Sequence, residues 1–224
     1  MRTSNYILAG FLTFGFVIIL SMFIDAKLHG KTSKKKSFVT AETLDHFTVI
    51  VAEEGSNINI SFGSKNVIRS HIYALKQPKN QQSPKNFFRI SNDTMFVQKA
   101  DSVDYLSINN KHIKKIIGKK NAKISIWHAK NDSLSLDLDH SKLELSVNDH
   151  DFNYLDIVAR NHSNIKDIPT ITYVQNDGGK KKMVYKKGLK YVKVSLKNHS
   201  KLNMRKPRRL DIQADSTSNY TLFN

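Results

Sequence analysis

The sequence predicts an all-β protein: a single-stranded parallel β-solenoid (β-helix) with N-terminal β-hairpin strands, preceded by one transmembrane helix. Three observations lead to this prediction. An uncharged apolar run extends from Ile7 to Ile24. From Phe47 onward, apolar side chains alternate with polar ones, which is the period of a β-strand. Residues 134–222 then repeat a strand, polar turn, strand pattern four times, and units this small bury their apolar face only by stacking.

The apolar run is predicted to be a transmembrane signal anchor occupying residues 1–27. Its helix would rise about 27 Å, close to the thickness of a bilayer's hydrocarbon core. A cleaved secretory signal is the alternative, but cleavage after Ala26 would place the bulky Ile24 where a small residue is needed. The chain has no cysteine, which excludes a lipoprotein signal, disulfides and thiolate sites.

Residues 28–43 are predicted to form a polar linker. Lysines are concentrated just after the apolar run, at Lys27, Lys31, Lys34, Lys35 and Lys36. Positive charge beside a span favours the cytoplasmic side, so this bias alone would keep the C-terminal domain in the cytoplasm.

Alternation predicts the first strands of the domain at residues 44–224. Phe47–Val51 and Ile58–Phe62 surround a turn and are predicted to form a hairpin. Phe88–Ile90 and Met95–Val97 form a second hairpin-like pair, and the proline-containing segment 76–86 between the two pairs is a loop. Apolar residues between positions 106 and 126 are predicted to form an irregular first rung.

The four copies are centred on turn serines. The copies run over Leu134–Leu145, Leu155–Ile165, Val192–Met204 and Leu210–Leu222, with turn serines at Ser141, Ser163, Ser200 and Ser218. The steps between these serines are 22, 37 and 18 residues. The long middle step predicts a degenerate rung or an excursion, with a gap before the third turn. Asp177-Gly178-Gly179 followed by lysines favours a protruding hairpin there.

The spaced residues Phe47, Ile50, Gly55, Ile58, Ile60 and Gly63 resemble the opening of the head GIN domain, the "putative auto-transporter adhesin" family common in the Bacteroidetes. The four serine-centred copies are similar to the repeated pattern of that family, so the resemblance covers residues 44–224. The usual family turn is Gly-Ala-Ser or similar, whereas here it is Asp-His-Ser, Asn-His-Ser or Ser-Thr-Ser. The resemblance implies a cell-envelope protein with a β-solenoid head and no known active site. Together with the signal anchor, it predicts a single-pass inner-membrane protein whose head lies in the periplasm, against the lysine bias.

Three histidines, His140, His162 and His199, occupy equivalent turn positions. In stacked rungs they would form a ladder, which is either a metal-binding arrangement or a polar filling of the turns. The expected gap before His199 and the lack of a recurring carboxylate favour the polar filling, so no metal and no cofactor are predicted. Asn161 and Asn198 suit tight left-handed turns.

Catalysis is not predicted. Asp139, His140 and Ser141 are adjacent, so an extended chain would point them to opposite faces, and no nucleophile elbow surrounds the serine. The paired acids near Asp132 and Asp149 lack the spacing of a calcium loop.

Charge is the strongest functional signal. The chain carries a formal net charge of +17, and no Asp or Glu occurs between Gly178 and Leu210. The predicted anionic-ligand residues in this stretch are Lys180, Lys181, Lys182, Lys186, Lys187, Lys190, Arg205, Lys206, Arg208 and Arg209. Solubility and protection of an open sheet edge are the alternative use of such lysines.

The predicted function is therefore a non-enzymatic, membrane-anchored envelope protein whose head binds an anionic lipid, a polysaccharide or a partner protein. The alternative is a cytoplasm-facing anchored protein that binds nucleic acid through the same basic stretch. No recognised nucleic-acid-binding module supports that alternative.

Overall fold

A computed structural model of the chain describes residues 2–29, 36–74, 83–127, 131–146, 152–168, 171–175, 181–185 and 189–223. The chain divides into two compact units. The first ends at Lys36, and the second, called the β domain below, begins at Ser37 and continues to the C-terminus.

The N-terminal unit contains one helix, α1 (Arg2–His29). Its segment Leu8–Asp25 has a mean hydropathy of 2.1 and is exposed along its length. The hydroxyls of Thr13 and Ser21 donate to the backbone oxygens of Ala9 and Ile18, at 2.8 Å each, so neither needs a partner outside the helix. By length and composition α1 meets the requirements of a membrane span, and a signal sequence meets the same requirements.

The β domain contains nineteen strands in its described residues, and a single 3-10 turn at Pro84–Phe87 precedes the fifth. The strands are β1 (Lys36–Thr43), β2 (Val49–Ala52), β3 (Asn57–Ser61), β4 (Val67–Ala74), β5 (Phe88–Ser91), β6 (Thr94–Val97), β7 (Tyr105–Asn109), β8 (Lys115–Gly118), β9 (Lys123–Trp127), β10 (Asn131–Asp139), β11 (Lys142–Ser146), β12 (Phe152–Arg160), β13 (Asn164–Asp167), β14 (Ile171–Gln175), β15 (Lys181–Tyr185), β16 (Tyr191–Leu196), β17 (Lys201–Arg205), β18 (Arg209–Ala214) and β19 (Asn219–Phe223).

Seventeen of these strands form two mixed sheets, and β14 pairs separately with β15. The nine-stranded sheet has the order β1-β4-β7-β3-β9-β11-β13-β17-β19. The eight-stranded sheet has the order β18-β16-β12-β10-β8-β2-β6-β5. From β8 onward, apart from β14 and β15, the chain alternates between the sheets, so each successive pair of strands lies beside the previous pair.

The register of the parallel strands builds the core. Leu136 of β10 is level with Ile157 of β12, which is level with Val194 of β16 and then with Ile212 of β18. The same in-line register relates β11 to β13 and β17 to β19. Since alternate side chains point to one face, these columns from both sheets meet in one apolar cluster. The alternation predicted for the first three copies is confirmed. In the fourth copy, at the edges of both sheets, Leu210, Ile212 and Leu222 are partly buried, while Ala214 and Tyr220 are exposed.

The predicted hairpin between Phe47–Val51 and Ile58–Phe62 is wrong, because β2 and β3 belong to different sheets. Both edges of β2 are occupied by β6 and β8, and both edges of β3 by β7 and β9, so the two strands have no free edge for each other. The second predicted hairpin is confirmed: β5 and β6 pair antiparallel around Asn92 and Asp93, whose φ angles of 46° and 61° fit a type I′ turn.

The sheets are mixed rather than purely parallel, which corrects the predicted fold class. The chain turns back after β3, so β4 pairs antiparallel with β7, and β5 does the same with β6. Residues 36–43 fall within the predicted polar linker, yet they form β1 beside β4. Alternation at Phe38, Thr40 and Glu42 explains this strand, since those side chains are half-buried while their neighbours are exposed.

The long step between the second and third copies is an excursion. β14 and β15 pair antiparallel with each other, from Ile171 with Tyr185 to Gln175 with Lys181. Meanwhile β12 pairs directly with β16, and β13 with β17. The predicted gap before the third turn is therefore wrong, because the extra residues leave the stack instead of separating its rungs. The predicted turn residues Asp177, Gly178 and Gly179 lie outside the described residues.

Candidate anion-binding site and the turn ladders

The structure describes the side chains of only five of the ten predicted anionic-ligand residues. Lys180, Lys186 and Lys187 lie outside the described residues, and Lys181 and Lys182 are described only as backbone of β15. The remaining five are Lys190, Arg205, Lys206, Arg208 and Arg209, all between the end of the excursion and β18.

Arg205 does not present its charge to solvent, which corrects its predicted role. Its side chain is 4% exposed and lies against Asp167, which is 6% exposed. The guanidinium donates to both carboxylate oxygens of Asp167, with Nε to Oδ2 at 2.7 Å and Nη2 to Oδ1 at 2.8 Å. The backbone N–H of Arg205 donates to the same carboxylate at 3.0 Å. This bidentate pair joins the end of β13 to the end of β17, where the excursion leaves the stack.

The other four residues form the basic corner, defined here as Lys190, Lys206, Arg208 and Arg209. The backbone nitrogens of Arg208 and Arg209 donate to the carbonyl oxygens of Leu189 and Lys190, at 2.9 Å each, so the two segments lie side by side. Lys206, Arg208 and Arg209 are exposed. Neither Lys206 nor Arg209 forms an ion pair with any acidic residue that the structure describes.

Aromatic rings support the basic corner. The guanidinium carbon of Arg209 lies 5.0 Å from the ring centroid of Tyr191, a cation–π arrangement that orients the planar cation. The Tyr191 ring lies 5.1 Å from that of Tyr154 on the next strand. Lys190 donates from Nζ to Oδ1 of Asn153 at 2.6 Å, so its charge is positioned by a neutral partner. Such donors suit phosphate or carboxylate oxygens.

Few carboxylates oppose this charge. Residues 189–223 contain eight Lys and Arg but only two acids, Asp211 and Asp215. Hydrogen bonds, first that from the backbone N–H of Asn198, hold the pKa of Asp215 well below its usual value. Asp211 is level with Lys193 on the neighbouring strand. The end of the domain formed by the last two rungs is therefore electropositive.

The three turn histidines stack as a ladder. The ring centroids of His140 and His162 are 6.0 Å apart and nearly perpendicular, and those of His162 and His199 are 4.9 Å apart with planes 17° from parallel. All three have φ between 50° and 64°, as a tight left-handed turn requires. No group of three metal-binding side chains occurs among the residues for which positions are given.

Amides and carboxylates form a second ladder beside the histidines. Asn161 donates to Oδ1 of Asp139 at 2.7 Å, and Asn198 donates to Oδ1 of Asn161 at 2.9 Å. The backbone N–H of Asn198 donates in turn to Asp215 at 2.7 Å. Each bond joins one rung to the next, so these side chains satisfy the turns and serve the fold.

The turn serines are also structural. Ser163 and Ser200 are fully buried, and each donates from Oγ to the carbonyl three residues earlier at 2.7 Å. Ser141 donates to the carbonyl oxygens of Lys119 and Asp139 at 2.8 and 2.9 Å. Its hydroxyl is therefore committed to backbone bonds, and the adjacent Asp139, His140 and Ser141 make no catalytic arrangement.

Sequence reasoning missed an aromatic groove on the outer face of the nine-stranded sheet. Its lining includes His71, Tyr105 and Trp127, from β4, β7 and β9. Trp127 is the only tryptophan in the chain, and it ends a strand of alternating pattern. The alternation with Ile124 and Ile126 could have predicted that its ring points outward. The partners across the sheet are not adjacent in sequence, which is why the groove itself could not be predicted.

Comparison with known proteins gives structural neighbours of low similarity. The chain matches no protein-family model and no curated protein sequence. A crystal structure of a "putative adhesin" from Bacteroides fragilis is 9% identical, with a TM-score of 0.40, over 85% of this chain and 99% of that chain. A "putative adhesin" from Parabacteroides merdae is 12% identical, with a TM-score of 0.34, over 84% and 95%. A "putative lipid binding protein" from Parabacteroides distasonis is 6% identical, with a TM-score of 0.39, over 84% and 97%.

Identities of 6–12% with TM-scores of 0.40 and below assign neither a family nor a ligand to this chain. The resemblance to the head GIN domain therefore stays a prediction from its residues. What the β domain binds has to be argued from its own surfaces.

Proposed function

We propose that this chain is a non-enzymatic, membrane-anchored envelope protein whose β domain binds an anionic surface through the basic corner. The observation that carries the proposal is the corner itself: three exposed cations beside the half-buried Lys190, with Arg209 held over Tyr191. Phosphate of lipid head groups is the ligand that this arrangement suits best, since Arg209 offers a planar fork and Lys206 a mobile point charge. Acidic polysaccharide and acidic proteins share that chemistry.

The proposal includes an architecture. The rungs from β8 to β19 would form a β-solenoid, with one strand in each sheet, held at a bilayer by α1 as a single-pass inner-membrane anchor. Its head would lie in the periplasm, against the lysine bias after α1. Protease accessibility of a tagged head, compared in intact cells and spheroplasts, tests that orientation.

The expected affinity is moderate. Each exposed Lys or Arg near an anionic membrane contributes about 1 kcal/mol, and salt screens the interaction. Four cations therefore contribute about 4 kcal/mol at low ionic strength, which corresponds to a dissociation constant of about 1 mM. Useful binding would come from many copies acting on one surface.

The test uses the full chain held in nanodiscs of zwitterionic lipid, so that α1 is already inserted. Co-flotation is measured with two kinds of added vesicle: one contains one-third anionic phospholipid, and the other contains none. We expect binding only to the anionic vesicles, with loss of binding as salt increases. The triple variant Lys206→Gln, Arg208→Gln and Arg209→Gln should reduce that binding about a hundredfold, the equivalent of about 3 kcal/mol.

A matched control removes the same number of charges elsewhere. Lys119, Lys120 and Lys123 are exposed on the turn and strand of an earlier rung. Replacing all three by Gln lowers the net charge equally, so it should change vesicle binding far less than the corner variant. Equal losses in both variants would show that net charge alone acts, and unchanged binding in the corner variant would overturn the proposal.

A further inference from the structure

We propose that the aromatic groove on the nine-stranded sheet is a binding site for a neutral saccharide, separate from the basic corner. The groove is lined by Asn59, Ser61, His71, Tyr105, Ser107 and Trp127, together with Ile60, and has a volume of about 200 Å³. Its lining residues come from four strands that are neighbours in the order β4-β7-β3-β9. The site follows from this juxtaposition and does not depend on the proposed function.

Small polar side chains form the floor of the groove. Asn59 of β3 is level with Ser107 of β7, and Ser61 lies two residues along β3 on the same face. These three side chains are partly buried. Their side chains make no hydrogen bond with any other residue that the structure describes. Hydroxyl and amide groups that are sheltered but unpaired are suited to the hydroxyls of a sugar.

Aromatic rings border this floor on both sides. Trp127 is level with Ser61 and is 40% exposed, a large apolar surface left open on a sheet face. On the other side the His71 ring stacks on Tyr105, with centroids 4.5 Å apart and planes 10° from parallel. The weakly polar face of a pyranose ring packs on such rings through its C–H groups, while its hydroxyls reach the polar floor.

One side-chain nitrogen of a groove residue has no hydrogen-bond partner among the described residues. Nε2 of His71 is buried and accepts or donates no hydrogen bond within the described residues. A buried polar atom of this kind is uncommon and costs free energy until it is paired. This nitrogen is closed to solvent, so a bound sugar would pair with it only after the His71 ring turned towards the groove.

The lining carries no formal charge, which is why a neutral ligand is assigned. Burial, with the nearby Arg69 charge, lowers the pKa of His71, so its imidazole is neutral near pH 7. Burial and a hydrogen bond with Tyr73 raise the pKa of Tyr105 to about 12, so its phenol is protonated. The volume also fits, since a cavity of about 150 Å³ accommodates a six-membered ring.

The first experiment uses the intrinsic fluorescence of the full chain. Because Trp127 is the only tryptophan, its emission reports on this groove alone. The chain is kept in a detergent without a sugar head group, and cellohexaose, maltohexaose and a neutral mannan oligosaccharide are titrated separately. We expect a saturable emission shift for at least one of them. If none of the three saccharides shifts the emission at concentrations up to about 10 mM, the proposal is overturned.

Variants then locate the binding. Asn59→Ala retains the fluorophore and removes a floor hydrogen bond, so it should weaken binding about fivefold to tenfold. Trp127→Ala removes the fluorophore, so its binding is measured by calorimetry, and we expect saccharide binding to be abolished. The control is Tyr220→Ala, since Tyr220 is 50% exposed on β19 of the same sheet but lies outside the groove. Equal binding by the Trp127 and Tyr220 variants would also overturn the assignment.

The two sites are tested independently. Trp127→Ala should leave flotation with anionic vesicles unchanged, and the Gln variant of the basic corner should leave the saccharide titration unchanged. If the corner variant lost both activities, the groove would not be a separate site.

Discussion

At the end of β17, Arg205 forms a buried ion pair with Asp167 of β13. Both charges are buried, and the Asp167 carboxylate depends on the Arg205 guanidinium for compensation. Arg205→Met should lower the free energy of unfolding by about 3–5 kcal/mol, because it leaves the Asp167 carboxylate buried and unpaired. The double variant Asp167→Leu with Arg205→Met should recover most of that loss. Urea unfolding monitored by Trp127 fluorescence measures both, and a double variant no more stable than the single would contradict the explanation.

A second residue predicts a pH dependence. Asp215 accepts hydrogen bonds from the backbone N–H groups of Asn198 and Thr217 and from the Thr217 hydroxyl. These bonds lower its pKa in the folded state below the ordinary value of 3.8. A depressed carboxyl pKa stabilises the fold above the ordinary value, and that contribution is lost as the pH falls below it. Asp215→Asn should therefore flatten the decrease in stability below about pH 4, as urea midpoints at several pH values would show.

The charge pattern predicts which residues are basic, but it does not predict which of them are buried. The net charge of the stretch from Gly178 to Leu210 is evident in the sequence, and it led to all ten predicted ligands. Arg205 is buried because it pairs with Asp167, 38 positions earlier in the chain. Asp167 points into the core, and in the strand register it is level with Leu145. Such a pair is set by the stacking of β11, β13 and β17, so the charge pattern alone gives no sign of it.

Among the elements, β14 and β15 pair only with each other and lie outside the two large sheets. β12 pairs with β16 and β13 with β17 without them, and residues 147–151 suffice to join β11 to β12. Replacing residues 169–188 by a flexible linker of about five residues should therefore preserve the rungs, with little change in the urea midpoint. If the excised lysines bind anions, flotation with anionic vesicles should decrease in parallel. Unfolding of the excised variant would show instead that the excursion is integral to the fold.

Element patterns explain why the later strands were predictable and the earlier ones were not. β10 to β13 and β16 to β19 follow one another in space as they do in sequence, apart from the excursion, so local alternation and turn serines are sufficient to place them. β2 instead lies between β6 and β8, which follow it by more than forty and sixty residues. Its neighbours are chosen by long-range packing, and alternation within one strand carries no information about them.

At the scale of the whole domain, this order places β2 and β3 inside their sheets, with other strands on both sides of each. Rungs extend from them in both directions, and buried Ile50, Ile58 and Ile60 lie in the shared core. Leu210 and Ile212 of β18, at the edge of the eight-stranded sheet, are only partly buried. In a stack where each rung contacts its neighbours, stability is a sum of local terms, so protection should decrease from the centre outward.

Hydrogen exchange of the full chain tests this gradient. We expect the slowest amide exchange in β2, β3, β8 and β9, and the fastest strand exchange in β18 and β19. Ile60→Ala removes a fully buried side chain and should cost about 2–5 kcal/mol, increasing exchange throughout the domain. Ile212→Ala should increase exchange only in β16 to β19, because the loss of an edge rung leaves the inner interfaces intact. If Ile212→Ala accelerated exchange in β2 and β3 as much as in β18, the domain would unfold as one cooperative unit, and the rung-by-rung account of its stability would be wrong.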